Sequence, residues 1–139
     1  MQDITNSLEE AIRVRVTQAG YPLNVYKGQG DFPKEAPYLV VHAQRGEEFP
    51  QDSGNWNLQV MCGIEWPAET QDLVGFRQLC TDVFGLLMAD DLAELLTAAT
   101  NLSVMGIHGR QLESDTDGQL WQSVLTFTCY CCLSDLEAA

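Results

Sequence analysis

The chain has 139 residues, enough for one domain with a real core, and 45% of them are apolar, as in a globular rather than a disordered protein. Seven basic residues against twenty acidic ones leave a net charge of −13, which favours solubility and argues against a grip on nucleic acid built from clustered Lys and Arg. An acidic surface still allows DNA to slide past without sticking. No apolar run approaches the roughly 20 residues needed to span a bilayer. Met1 to Thr5 is not a basic stretch leading into an apolar one, so no export signal is expected and the cytosol is the expected place of synthesis.

From about Asp3 to Ala19, the residues Ile4, Leu8, Ala11, Ile12, Val16 and Ala19 recur on one face at helical spacing. Asp3 or Asn6 is placed to cap this helix, and Ser7 to Glu10 also fits a capping box. Gly20 supplies the stop, and Pro22 follows it. Leu23 to Tyr26 reads as a short strand, and the Gly- and Pro-bearing stretch from Lys27 to Pro37 as a loop. Tyr38 to Gln44 is a strand with both faces largely apolar. Arg45 to Gly54 is polar and forms the expected hairpin loop, with Glu47, Glu48, Phe49 and Asp52 at its tip.

The long strand from Trp56 to Trp66 follows. Trp56, Leu58, Val60, Cys62, Ile64 and Trp66 fall on every second position, which puts all six on one face. Pro67 ends it. The period then turns helical up to Met88, with Leu73, Phe76, Cys80, Val83, Phe84 and Leu87 in line, and Asp90 or Asp91 opens a short helix through Leu96. Leu102 to Leu112 and Leu120 to Leu133 read as strands around a turn that contains Asp117-Gly118. The expected fold is α+β: one domain over residues 1–139, with a mostly antiparallel sheet of two long hairpins and the helices packed on one face.

Candidate chemistry is sparse. His42 and His108 lie inside expected strands, with no Ser, Cys or Asp pattern of a triad around them, and read as structural or exposed. Cys129-Tyr130-Cys131-Cys132 holds two cysteines on one strand face and one on the other, without a matching Cys or His pair at zinc spacing, so core thiols are expected. Glu113-x-Asp115-x-Asp117-Gly118 matches the first half of a calcium loop, but Val124 stands where the bidentate Glu belongs. A hairpin turn is the simpler reading, with a cation site across a subunit boundary left open. Gly28-Gln29-Gly30 lacks the flanking strand, third glycine and helix of a nucleotide fingerprint. Trp56, Trp66 and Trp121 either pack in the core or, in one case, anchor a partner subunit.

With its elements in this order, the chain resembles the tail terminator (tail completion) proteins of long-tailed bacteriophages. The resemblance covers nearly the whole chain. It runs through the N-terminal helix ending at Gly20, the strand at Leu23–Tyr26, Pro37-Tyr38-Leu39-Val40-Val41, the alternating strand Asn55–Trp66, the helix from Asp72 through Phe76 and Leu79 to Leu87, and the strands Leu102–Leu112 and Trp121–Cys131. It implies a structural virion protein without catalytic residues, cofactor or metal, assembled in the host cytoplasm into the tail or neck of the particle. Such a protein forms a hexameric ring that caps the tail tube, ends its polymerisation and offers a surface to the head-completion or neck protein. DNA passes through the lumen without specific binding, and no membrane is involved. The tip residues Glu47, Glu48, Phe49 and Asp52, together with Trp56, are the expected docking element, with Phe49 as its apolar anchor. Asp115 and Asp117 are expected to face a neighbouring subunit or the lumen. The alternatives are another neck or head-side connector, a small acidic ligand-binding or enzyme domain with a pocket between sheet and helices, and an acidic mimic of DNA.

Overall fold

Among the described residues, alternating and helical periodicities resolve into eight elements around one core. The computed structural model describes residues 4–28, 37–48, 51, 54–67, 73–100, 103–116 and 118–132. In chain order they are α1 (Ile4–Ala19), β1 (Asn24–Lys27), β2 (Tyr38–Glu48), β3 (Asn55–Pro67), α2 (Leu73–Leu87), α3 (Leu92–Thr100), β4 (Ser103–Asp115) and β5 (Leu120–Cys132). The strands form one sheet in the order β1-β2-β3-β5-β4. The fold is α+β with a mostly antiparallel sheet. Among the described residues, no helix is long and apolar enough to cross a membrane.

Strand parity decides where the core sits. Leu39, Val41 and Ala43 of β2, the even-numbered residues of β3 from Leu58 to Trp66, and Leu125, Phe127, Cys129 and Cys131 of β5 are buried on one face. The helices cover that face with Leu8, Ile12 and Val16 of α1, Phe76, Leu79, Cys80, Val83, Phe84 and Leu87 of α2, and Leu92 and Leu96 of α3. Phe76 closes one end of the core between Trp66 and Trp121, at ring-centroid distances of 6.2 and 5.5 Å. Trp66 is a core residue, and half-buried Trp121 packs against the core. The opposite face of the sheet carries no helix among the described residues.

Three local features add to or depart from the expectations. β1 pairs with β2 in parallel, from Asn24↔Tyr38 to Lys27↔Val41. Gly28 extends this pairing, donating its N–H to the Val41 carbonyl at 2.7 Å with φ at 79°. Next, the hairpin loop placed at residues 45–54 is shorter than expected, because Arg45 to Glu48 stay in β2. A bulge there absorbs one extra residue between Arg45↔Leu58 and Glu48↔Trp56. Gly46 is required at the bulge: a Cβ would lie 2.8 Å from the Asn57 carbonyl oxygen. Finally, β4 runs on to Asp115, with register shifts between Val104 and Gly106 and between His108 and Gln111. Gly109, at φ 69°, sits inside the second shift.

Candidate docking surfaces

The expected docking residues fall at opposite ends of the sheet. Glu47, Glu48 and Trp56 lie at the end where β2 turns towards β3; Phe49 and Asp52 lie outside the described residues. Glu47 is exposed, whereas Glu48 is half-buried and accepts the Gly54 N–H at 3.0 Å, bridging the two sides of the connection. Both are strand residues rather than loop-tip residues, since the β2 ladder reaches Glu48. Trp56 packs half-buried against the core, with the Arg45 guanidinium 5.0 Å from its ring centroid.

Asp115 ends β4 opposite Gln122 and is exposed; Asp117 lies outside the described residues. Trp56 is level with Cys131 of β5 and Asp115 with Gln122, so about nine residues of strand, or about 30 Å, separate the two groups. Asp115 therefore stands at the level of Tyr38, Glu65 and Gln122, which form one row across the open face. In that row the Tyr38 hydroxyl donates to Glu65 Oε2, and Gln122 Nε2 donates to Glu65 Oε1 at 3.1 Å. Burial, then the bonded Glu65 carboxylate, pushes the Tyr38 hydroxyl up to about 12, so it remains a donor at neutral pH.

The rows of the open face differ in chemistry, and the next, Val40, Gly63, Val124 and Glu113, is largely apolar. His42, Met61, Thr126 and Gln111 form the one beyond it, followed by Gln44, Gln59, Thr128 and His108. Gln44 donates to Gln59 at 2.8 Å. A shallow groove of about 430 Å³ runs over these rows. The two histidines thus stand on β2 and β4 of this face, His42 opposite Met61 and His108 opposite Thr128. Beside His42, Glu9 accepts the Ala43 N–H at 2.8 Å, and the His42 Nδ1 lies 3.7 Å from the same carboxylate oxygen.

Burial governs the cysteines. It pushes the thiols of Cys62 and Cys131 up to about 12, that of Cys80 up to about 11, and that of Cys129 further still. These groups are protonated at neutral pH and shielded, which suits packing rather than nucleophilic attack. Among the described residues, no three His, Cys, Asp or Glu side chains come together in a metal-holding group.

Three of the dispersed cations are engaged by α1 or by its neighbours. Arg13 and Lys27 both reach Glu10, at 2.6 and 2.9 Å, and hold its carboxyl at about 2. Arg15 donates to the Leu86 carbonyl at 3.1 Å, tying α1 to the end of α2.

Sequence reasoning missed one surface. Between α2 and the outer half of β4 lies a groove of about 670 Å³, lined by Phe76, Phe84 and Met88 on one side and Leu112, Ser114 and Thr116 on the other. A signal was present in the isolated apolar Leu112 within a polar strand, but its facing depends on the bulge before it. No protein-family model matches the chain, and no curated protein matches it at a significant level.

Proposed function

We propose that this protein is a tail-terminator-like structural protein that assembles into a ring, caps a phage tail tube, ends its polymerisation and presents a surface for head docking. The observation that supports this reading is the element order: a helix stopped at Gly20, a short strand, a hairpin, two helices and a second hairpin, packed as one helix-covered sheet. This is the layout on which the resemblance rests. The open face adds support, being built mainly of amide, hydroxyl and imidazole side chains. In a chain of net charge −13, such a surface suits a wall past which DNA moves without adhering. A closed ring requires heterologous contacts between neighbours, and the two ends of the sheet are unlike: short β1 beside β2 at one, long β4 at the other.

Light scattering behind size exclusion, with and without a divalent cation, tests the ring. The expected mass is six times that of the 15.4 kDa chain. Added to polymerising tail tube protein, the ring is expected to fix tube length. A mass of twelve chains, or binding to portal instead of tube, replaces this reading with that of a head-side connector. A monomer that leaves tube growth unchanged rejects both.

A further inference from the structure

β4 is the last strand of the sheet, and among the described residues no strand pairs with its outer edge. Its two halves differ. The first is held by α3, where Thr97 Oγ1 accepts the Val104 N–H at 3.0 Å. The second, from Gln111 to Asp115, runs in regular register with β5 and is exposed throughout. Leu112 is opposite Leu125 and Ser114 opposite Ser123, both on the helix side, so these residues face the groove beside α2. Gln111, Glu113 and Asp115 are opposite Thr126, Val124 and Gln122 and share the open face with them. Leu112 remains 52% exposed although it borders Phe76, Phe84 and Met88 across the groove.

A strand added to this edge meets two chemistries in alternation. Its residues of one parity project over the apolar groove, and those of the other lie beside Glu113 and Asp115. We propose that the outer edge of β4 docks an extended segment of another protein, added as a sixth strand, in which apolar residues alternate with lysine or arginine. Backbone pairing supplies affinity, and the groove and the two carboxylates supply the sequence preference. Arg77 on the groove wall adds no demand for a cation on the helix side, where the preference is apolar.

The chain's own sequence indicates that the occupant is a different protein. Its seven cations stand at 13, 15, 27, 34, 45, 77 and 110; none of β1 to β5 alternates apolar with basic residues, and the run that does, Ile12 to Val16, is helical in α1 with Ile12 and Val16 buried in the core. A second copy would also bring another net charge of −13 to a carboxylate-bearing edge. The proposal stands apart from the ring reading, because it concerns one edge of one subunit.

The test uses the full chain and two short synthetic peptides, one alternating valine with lysine and the other valine with glutamate. Binding is followed by calorimetry at low salt, and its location by amide hydrogen exchange. The lysine peptide is expected to bind and to slow exchange selectively at 111–115. The glutamate peptide is expected not to bind. Reversing both charges, Glu113→Lys with Asp115→Lys, is expected to weaken the lysine peptide by about tenfold and to confer binding on the glutamate peptide. Both side chains are exposed, so the doubly reversed chain is expected to retain its circular dichroism spectrum. Leu112→Glu is a second probe, expected to abolish binding of the lysine peptide. Four outcomes overturn the proposal: no binding of the lysine peptide, protection spread over the whole acidic surface, indifference to charge reversal, or protection of 111–115 by rising concentration of the chain alone. The last would assign the edge to a second copy.

Discussion

The Glu9 carboxylate stands in for a strand beside Ala43. β1 and Gly28 satisfy the outer edge of β2 only as far as Val41, and the next outward N–H, that of Ala43, donates to Glu9 Oε2 at 2.8 Å. Glu9 is only 8% exposed, so this bond links α1 to the sheet inside the protein. Glu9→Ala is expected to cost about 1–3 kcal/mol, because a buried N–H loses its acceptor. Glu9→Gln retains an acceptor and is expected to cost less. Urea unfolding measures both, and faster hydrogen exchange at the Ala43 amide in the alanine variant locates the effect. Equal stability of all three proteins would refute the strand-substitute role.

Two glycines are expected to respond oppositely to the same substitution. At Gly46 an added Cβ meets the Asn57 carbonyl oxygen at 2.8 Å, a backbone atom that moves only with β3. Gly46→Ala is therefore expected to destabilise by about 1–3 kcal/mol. Gly85 lies within α2 with nothing within 4 Å of a Cβ, so Gly85→Ala is expected to stabilise by up to about 1 kcal/mol through helix propensity. Thermal unfolding of the pair decides: a shift of both in the same direction contradicts the local geometry.

Acid is expected to weaken the α1–β1 junction. The hydrogen bond from Arg13, then that from Lys27, holds Glu10 at about 2, below the usual 4.5. A depressed carboxyl contributes stability above its unfolded value, and that contribution fades as pH falls from about 4.5 to about 2. The side chain is 39% exposed, so solvent screening limits the effect to below about 1 kcal/mol. In urea titrations, the gap between the parent protein and Glu10→Gln is expected to be constant near neutrality and to close towards pH 2. A gap that does not change with pH would show that the ion pairs are not its source.

The thiols set the alkaline limit. Cys62 and Cys131, raised by burial to about 12, keep their protons in the folded chain after the unfolded chain has begun to lose them near 9. Their contribution is complete below about pH 9 and lost as pH rises towards 12. In the native protein at pH 8, a thiol-titrating disulfide reagent is expected to leave Cys62, Cys129 and Cys131 unmodified and to attack half-buried Cys132 first. Rapid modification of Cys62 in the native state would contradict its burial.

Legibility followed regularity. The even-numbered run from Trp56 to Trp66 announced β3 because every core-facing position was apolar, and the helix ending at Gly20 carried both its stripe and its stop. β4 announced itself less fully. Its two shifts break the alternation, so neither the extension to Asp115 nor the face taken by Leu112 follows from spacing alone. Glu9 near a helix start reads as a partner for the helix dipole, and its bond to Ala43 depends on a strand 34 residues away. The two sets of expected docking residues lie at different levels of the sheet, which register alone makes visible. Glu47, Glu48 and Trp56 are neighbours along the chain, but only strand register reveals that Asp115 belongs with Tyr38, Glu65 and Gln122 at the far end.

The second shift in β4 acts as a parity switch. Between His108 and Gln111 the strand advances three residues while β5 advances two, from Thr128 to Thr126. Everything beyond that point is inverted relative to an unbroken ladder. Were the same residues paired one to one with β5 from His108 onward, the outer half of the strand would be turned over, carrying the carboxylates of Glu113 and Asp115 to the helix side and Leu112 to the amide-lined face. One residue held out of the ladder thus determines which of two chemically different ribbons this edge displays, and loss of Gly109 would make the ladder regular while leaving Gln111 opposite Thr126 and the same ribbon in place.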